Sequence, residues 1–299
     1  MNTLIAVLTI IGLGSMAHAQ NSPYPETQEA IDEEIITLPW EYEMKEYSLD
    51  QSNSAFKLSE GFALLRGDAA RRFDFLTQGM EDSDTEALIY NQDTEIQMIF
   101  NYSPSGYVSL DDWSDLDADE LLKQISENTE KGNAQRTQHN FSSLKIGGWI
   151  QKPRLNRENN SVSWVFDVID GEEKYVNAIS IKLGRKGYET ITWVSSYENY
   201  LKSMDLMGSL VDQQTFNKGY RYADYSIGSD KLAAFGIASL VAVTAGGNQH
   251  TKAGLLAGVL VFGKKLMVPF VIALGAMGAY FRKLFGNKSP EPQTDPSQV

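Results

Sequence analysis

The first residues with a chemical signature are carboxylates at alternate positions. Asp115, Asp117 and Asp119 match the opening of a calcium-binding loop, in which every second side chain points toward the ion. The loop also needs a glycine at its sixth position and a glutamate at its twelfth, where this chain has Glu120 and Ser126. Asp117 followed three residues later by Glu120 is instead typical of a helix start, so we predict a helix and no metal site.

Nucleophilic and acid–base chemistry is poorly represented. The chain has no cysteine, which excludes disulfides, thiolate metal sites and a cysteine nucleophile. Outside the first nineteen residues the histidines are His139 and His250, and no Gly-x-Ser-x-Gly motif is present. The turn Gly184–Gly187 has a basic centre that would suit a phosphate, but a tight hairpin explains the same residues. We predict no catalytic residue and no cofactor.

The stretch 218–231 is the strongest candidate for a functional surface. Asp224 and Asp230 are the only acidic residues between positions 218 and 288, which hold nine basic residues. Tyrosine and tryptophan favour the headgroup zone of membranes and also stack on ligands, so the aromatic residues predict an interfacial belt or a ligand platform. The aromatic set is Tyr220, Tyr222, Tyr225 and Trp193. The candidate functional residues are Tyr220, Arg221, Tyr222, Asp224, Asp230 and Lys231.

A run of alternating apolar residues before this stretch predicts the sheet that positions it. Between residues 145 and 196 the hydrophobic period is two, with turns at Asp170-Gly171 and Gly184–Gly187. We predict a four-stranded antiparallel meander followed by a helix over 198–212. The candidate stretch itself is predicted to form a last strand over 219–225, a turn at Gly228 and a helix that begins at about Lys231.

The first half of the chain predicts both helices and strands. AFKLSEGFALL indicates a strand pair around Glu60-Gly61, and the residues from Asp68 to Gly79 indicate a helix. A hairpin is predicted across 91–93, and another helix after Asp117. Strands and helices without regular βαβ alternation predict an α+β fold.

The N-terminus resembles an export signal. MNTLIAVLTIIGLGSMAHAQ contains an apolar stretch and then the small-x-small site Ala17-His18-Ala19. An uncleaved signal anchor is the alternative, although the apolar run is short for a membrane span. Residues 20–130 carry 26 acidic and 6 basic side chains. Their first part has few periodic apolar positions, so we predict a partly disordered arm over 20–54.

The C-terminal third predicts a membrane region. Apolar runs follow one another beyond Lys231, and the run over 266–281 is flanked by basic residues that can reach the interface. Residues 218–288 carry 9 basic and 2 acidic side chains, a contrast with the acidic half that favours a bilayer partner over nucleic acid. Small residues at helix-packing spacing would allow homo-oligomers: Gly254 with Gly258, and Gly275 with Ala279.

The predicted chain therefore has five parts. They are a signal peptide (1–19), an acidic arm (20–54), an extracytoplasmic α+β domain (55–228), a hydrophobic membrane-anchoring helical region (229–285) and a polar tail (286–299).

Several segments in the same order resemble a known family. They are GYVSLDDWSDLDADELLKQ, GGWIQKPRLN, LGRKGY, FNKGYRYADY, SDKLAAFGIASL, AGLLAGVLVFGKKL and a final apolar run ending in RKLF. From about Lys57 to Phe285 the chain resembles bacterial membrane-anchored proteins grouped as domain of unknown function 2167. The resemblance implies an exported domain with a C-terminal membrane segment, and no known activity or catalytic residues.

We therefore expect a non-enzymatic cell-envelope protein, anchored in the cell membrane with its main domain outside the cytoplasm. Its binding surface is expected where the domain meets the membrane region. Two alternatives stay open, a hydrolase that uses carboxylates near this joint and an oligomeric channel component.

Overall fold

The computed structural model describes residue 25 and residues 27–246, except 79–81, 92–93, 95 and 139–141. Its helices are α1 (Gln28–Thr37), α2 (Asp68–Gln78), α3 (Ala118–Gln138), α4 (Tyr197–Asp212) and α5 (Ile237–Thr244). Its strands are β1 (Glu46–Leu49), β2 (Ser54–Lys57), β3 (Ala63–Arg66), β4 (Thr85–Asn91), β5 (Ile96–Ser103), β6 (Tyr107–Ser109), β7 (Leu144–Asn156), β8 (Ser161–Asp170), β9 (Glu173–Leu183), β10 (Tyr188–Ser196), β11 (Gln214–Phe216) and β12 (Leu232–Gly236).

A seven-stranded antiparallel sheet forms the centre of the domain. Its strand order is β3-β4-β5-β10-β9-β8-β7, so the predicted meander makes up four neighbouring strands and the predicted hairpin β4–β5 adds two more. Helices α2, α3 and α4 lie where the sequence predicted them. The Asp117 carboxylate accepts the amide protons of Asp119 and Glu120 and thereby caps α3, as predicted. The α+β class is confirmed.

The two faces of this sheet bury different clusters of side chains. One face carries Ile89, Phe100 and Trp193, and is covered by α4 and by the small sheet β1-β2-β11. On the opposite face, Leu88 and Ile99 pack under α1 and α2, while residues of β8 and β9 pack under α3 and α5. Because side chains alternate along a strand, both apolar faces must be covered, and every helix serves as a cover.

The structure differs from the arm predicted over 20–54. Residues 28–37 form α1, and Ile31 and Ile35 lie one helical turn apart and pack on α2 and the sheet. Acidic residues of this segment have arginine partners in the domain, since Glu34 accepts two hydrogen bonds from Arg72 and Glu41 two from Arg66. These partners lie about 25 to 40 positions away in sequence. Local sequence patterns therefore gave no sign that the segment is folded against the domain. The predicted pairing of β2 with β3 is also wrong, because β2 pairs with β1 and β11.

The segment after β11 differs as well. Residues 222–224 form a 3-10 turn rather than a strand, and β12 runs parallel to β6 where a helix was predicted. Helix α5 begins only at Ile237, and its apolar face joins the cluster around Trp164. Residues 232–246 therefore pack within the domain, and the Gly246 carbonyl accepts a hydrogen bond from Asn128 of α3.

The predicted membrane region and both chain ends lie largely outside the residues that the structure describes. Within the described residues no helix is both long and apolar enough to cross a membrane. The signal peptide, the apolar runs over 253–263 and 266–281, the polar tail and the four small residues Gly254, Gly258, Gly275 and Ala279 lie outside the residues that the structure describes.

Two glycine substitutions test the packing of the central hairpin. A Cβ on Gly187 would overlap the Ser103 carbonyl oxygen of the neighbouring strand β5, whereas Gly208 on α4 faces open space. We expect Gly187→Ala to lower the free energy of unfolding by roughly 1–3 kcal/mol. Gly208→Ala should raise it by up to about 1 kcal/mol through helix propensity. Thermal unfolding followed by circular dichroism measures both, and equal midpoints for the two variants would contradict the packing described here.

Candidate functional site

Three loops meet at one end of the sheet and bring the predicted site residues together. The loops are 156–160, 184–187 and 217–231, and we call this region the basic end. The Leu183 amide donates to the Asn160 carbonyl, and the Arg185 amide donates to the Tyr220 carbonyl. The Tyr107 amide donates to the Lys231 carbonyl, which ties the start of β6 to the same region. All six predicted residues therefore lie in one loop of a single surface.

A stack of tyrosines forms the centre of the basic end. The ring of Tyr107 stacks on Tyr222 with centroids 4.3 Å apart, and on Tyr225 at 3.8 Å. The Tyr222 hydroxyl donates to the Val108 carbonyl at 2.8 Å, and burial together with Tyr107 raises the Tyr222 pKa above its ordinary value. Tyr107 was missed by sequence reasoning because it is more than a hundred positions away. Trp193 does not belong to this set, since it is buried in the core against Tyr200.

Both acidic residues of the stretch are engaged in local structure. Asp230 accepts two hydrogen bonds from Arg185, at 2.7 and 2.9 Å, and one from the Ser226 amide at 2.7 Å. The hydrogen bonds from Arg185 and Ser226 lower the pKa of Asp230. Asp224 accepts the amide protons of Gly219 and Arg221. A general acid needs a raised pKa and reach to a substrate, so this geometry favours a structural role for both.

The basic residues around the tyrosines are mostly exposed. Lys186 lies over the Tyr220 ring at 4.8 Å from its centroid, and Arg185 also donates to the Gly219 carbonyl. The three loops hold six basic and three acidic side chains, a net charge of +3. Exposed cations beside exposed aromatic edges suit a negatively charged partner.

A second polar site lies inside the domain, between the two sheets, and was not predicted. The β4–β5 register shifts between Thr85 and Ala87, so Glu86 is an extra residue in the strand. Its carboxylate accepts the Ser52 amide proton at 2.8 Å. Glu189 of β10 lies beside it with a side chain that is 0% exposed. Its nearest polar groups are the Glu86 carboxyl and the Ser52 side chain.

The environment of Glu189 favours its protonated, neutral form. Burial raises its pKa well above the ordinary value, and the neighbouring charge of Glu86 raises it further. Ser52 and Lys182 oppose the shift without cancelling it. Two buried carboxyls side by side are compatible when one carries a proton that both can share.

Lys182 completes this buried polar group. It stands next to Glu189 in the β9–β10 pairing, and its ammonium donates to the carbonyls of Val211, at 3.0 Å, and Gln214. Burial lowers the Lys182 pKa to about 8. Burial and the nearby acidic groups also raise the pKa of Tyr102 to about 12. Through the Lys182 hydrogen bond to Gln214 of β11, this group ties the small sheet to the central one.

A surface cavity of about 450 Å³ lies near this group, and Glu86 is part of its lining. Several of the other charged residues in its lining form ion pairs, since Arg66 binds Glu41 and Arg71 binds Asp68.

The acidic run near α3 has a structural role, because Asp112 accepts the Ala238 amide proton and Asp119 binds Lys152. Across the described ranges, no three His, Asp or Glu side chains group closely enough to hold a metal ion.

Comparison with known proteins identifies the family. The family model described as "Protein of unknown function (DUF2167)" matches residues 41–275. This chain belongs to that family. The resemblance predicted from the sequence is therefore confirmed. No curated protein matched the sequence.

Among solved structures, this DUF2167 chain is similar to cyanobacterial PsbP (CyanoP) from Synechocystis sp. PCC 6803, a solution structure. The two are 10% identical, the match covers 58% of this chain and 92% of that one, and the TM-score is 0.34.

The buried carboxyl pair makes a prediction about pH. The unfolded chain releases the Glu189 proton near pH 4.5, whereas the folded chain holds it to higher pH. Stability from this group is therefore complete below pH 4.5 and falls as pH rises, by up to about 1.4 kcal/mol per pH unit. Lys182 adds an opposite trend only between about 8 and 10.5. We expect Glu189→Gln to remove the fall between pH 4.5 and 8 in denaturant unfolding.

The matched control is Glu172→Gln in the exposed β8–β9 turn, which should keep the wild-type pH dependence. Identical pH profiles for wild type and Glu189→Gln would show that Glu189 is not held neutral.

The ion pair at the basic end makes a separate prediction. Asp230→Asn removes the charge that holds both Arg185 and the Ser226 amide, so residues 226–230 should exchange amide protons faster and be cleaved faster by protease. Because the Asp230 pKa is lowered, its stabilisation is present above the unfolded value of 3.8 and is lost as pH falls through the folded one. Hydrogen exchange with mass spectrometry measures the effect, and Asp205→Asn on the exposed side of α4 is the control. Unchanged exchange at 226–230 would refute the role of the ion pair.

Proposed function

We propose that this DUF2167 protein is a membrane-anchored cell-envelope protein whose exported α+β domain is a non-catalytic binding module. The observation that carries the proposal is the contrast between the basic end and the rest of the domain. Residues 20–130 have a net charge of −20 from 26 acidic and 6 basic side chains, whereas the three loops of the basic end have a net charge of +3. Protein surfaces that lie at the lipid headgroups are typically rich in tyrosine and in basic residues.

The sequence beyond the described domain supports the anchor. Gly246 is bonded to α3, and apolar runs follow over 253–263 and 266–281. Arg282 and Lys283 come directly after the second run, and basic residues on the cytoplasmic side favour one crossing with the C-terminus inside. The N-terminal export signal would place the domain on the other side.

The non-catalytic role is supported by the state of the carboxylates. A hydrolase at the joint would need Asp224 or Asp230 to face a cleft with a raised pKa, but Asp230 has a lowered pKa and both accept hydrogen bonds from their own loop. Glu189 has a raised pKa and no exposed surface, so a substrate has no access to it. A channel formed through Gly254, Gly258, Gly275 and Ala279 would concern residues outside the described domain.

The absence of native cysteine makes topology directly measurable. We expect Glu172→Cys, in an exposed turn of the domain, to react with a membrane-impermeant maleimide in cells with an intact cell membrane. Ser297→Cys in the tail should react only after lysis, and the full chain should stay in the membrane fraction after carbonate washing. Labelling of Ser297→Cys before lysis would overturn the single crossing. Recovery of the chain in the soluble fraction would overturn the anchor itself.

A further inference from the structure

The loop 226–230 presents an aliphatic side chain directly to solvent. Ile227 is 90% exposed, compared with 67% for Met44 and 56% for Leu232. Single exposed apolar residues are common on protein surfaces and require no explanation by themselves. Ile227 differs because it lies in a turn whose two ends, Ser226 and Asp230, are hydrogen-bonded to each other.

The geometry of the turn fixes the position of Ile227. The Ser226 carbonyl accepts the amide protons of Ser229 and Asp230, and the Asp230 carboxylate accepts the Ser226 amide proton. Gly228 has a φ of +83°, a left-handed conformation that glycine adopts without strain. Arg185 binds Asp230 from the β9–β10 turn and so connects the loop to the central sheet. Ile227 therefore projects into solvent from a turn that hydrogen bonds hold in place.

The basic end also carries exposed cations and a second exposed apolar residue. Leu232 is exposed at the start of β12, and Tyr225 stacks on Tyr107 just before the turn. The exposed basic residues in the three loops of the basic end are Arg157, Lys186, Lys218, Arg221 and Lys231. Arg157 comes from the β7–β8 turn and is near enough to Tyr222 to oppose the rise in its pKa. Exposed cations from three joined loops thus lie at the same end of the domain as the apolar tip.

From this arrangement we infer that Ile227 inserts into the surface of an anionic phospholipid bilayer while the lysines and arginines of the basic end bind its phosphates. The inference rests on the proposed membrane anchoring, because the anchor holds the domain next to the bilayer. Interfacial binding requires apolar side chains at the acyl boundary, tyrosine at the headgroups and basic residues that attract anionic lipid. The basic end has all three.

Charge complementarity selects this occupant. The domain as a whole is acidic and would be repelled by an anionic membrane, so an approach is favourable only with the basic end first. An acidic polymer would bind the cations but leave Ile227 in water. The apolar tip therefore distinguishes a bilayer from a soluble polyanion.

The test uses the full chain in proteoliposomes with a single reporter cysteine. Ser229→Cys carries an environment-sensitive fluorophore two residues from Ile227, and Met44→Cys carries it at another exposed position. Vesicles contain phosphatidylcholine alone or with phosphatidylglycerol, plus a nitroxide lipid as quencher. We expect a blue shift and strong quenching at position 229 only with phosphatidylglycerol, and neither at position 44.

Two pairs of variants identify the groups responsible. Ile227→Ser should remove most of the quenching at position 229, whereas Met44→Ser in the same reporter background should leave it unchanged. Lys218→Glu with Lys231→Glu should also remove it, while Lys57→Glu with Lys131→Glu, exposed lysines on β2 and α3, should not. Hydrogen exchange at 226–230 confirms that the turn is intact in each variant.

Several outcomes would overturn the inference. Unquenched, water-like fluorescence at position 229 in anionic vesicles excludes insertion. Equal quenching in phosphatidylcholine excludes recognition of anionic lipid, and a blue shift with soluble dextran sulfate but no quenching by nitroxide lipid indicates an acidic polymer instead. Flotation of the chain with the vesicles is measured in the same samples. A chain that does not float contradicts the proposed anchor, whereas a chain that floats with a solvent-exposed Ser229 reporter contradicts only the inserted tip.

Discussion

The need to cover both faces of one antiparallel sheet governs the rest of this structure. The two central strands β5 and β10 alternate their side chains, so Phe100 and Trp193 lie on one face while Ile99 and Tyr188 lie on the other. Leaving either face in water would expose large aromatic surfaces. Within the described residues, five helices and a small second sheet are distributed over the two faces for this reason. They include α1, which the sequence alone did not indicate, and α5, which was predicted to begin at about Lys231 and begins at Ile237.

The cover on one face encloses charge as well as apolar surface. Glu189 belongs to the buried face of β10, and the extra residue in β4 brings Glu86 to it. The small sheet closes over them with Gln214 of β11, whose carbonyl accepts a hydrogen bond from Lys182. Burial favours the protonated form of the Glu189 carboxyl, so the cost of this arrangement changes with pH. Such groups contribute little net stability, because the cost of burying a charge offsets the attraction between the partners.

The same sheet explains why the basic end is one surface. In an antiparallel meander the β7–β8 and β9–β10 turns lie at the same end of the sheet. Gly187 lets the second of these turns approach Ser103 closely. Arg185 then binds Asp230, so the loop after β11 is fixed to the central hairpin. The chain next enters β12 and α5 and reaches Gly246, bonded to Asn128, before the apolar runs begin. The basic end is therefore part of the folded domain rather than a short linker to the apolar runs.

Local patterns in the sequence determined the meander, the β4–β5 hairpin and helices α2, α3 and α4, because period-two alternation, turn glycines and the Asp117 cap act between near neighbours. They also determined the family. Only the tertiary structure decided that residues 28–49 are folded, since Glu34 and Glu41 form ion pairs with arginines far along the chain. It likewise decided the Tyr107 stack, the Glu86–Glu189 pair and the place of β12 and α5 in the core. Each depends on a long-range contact, and no local propensity encodes which distant side chain will complete it.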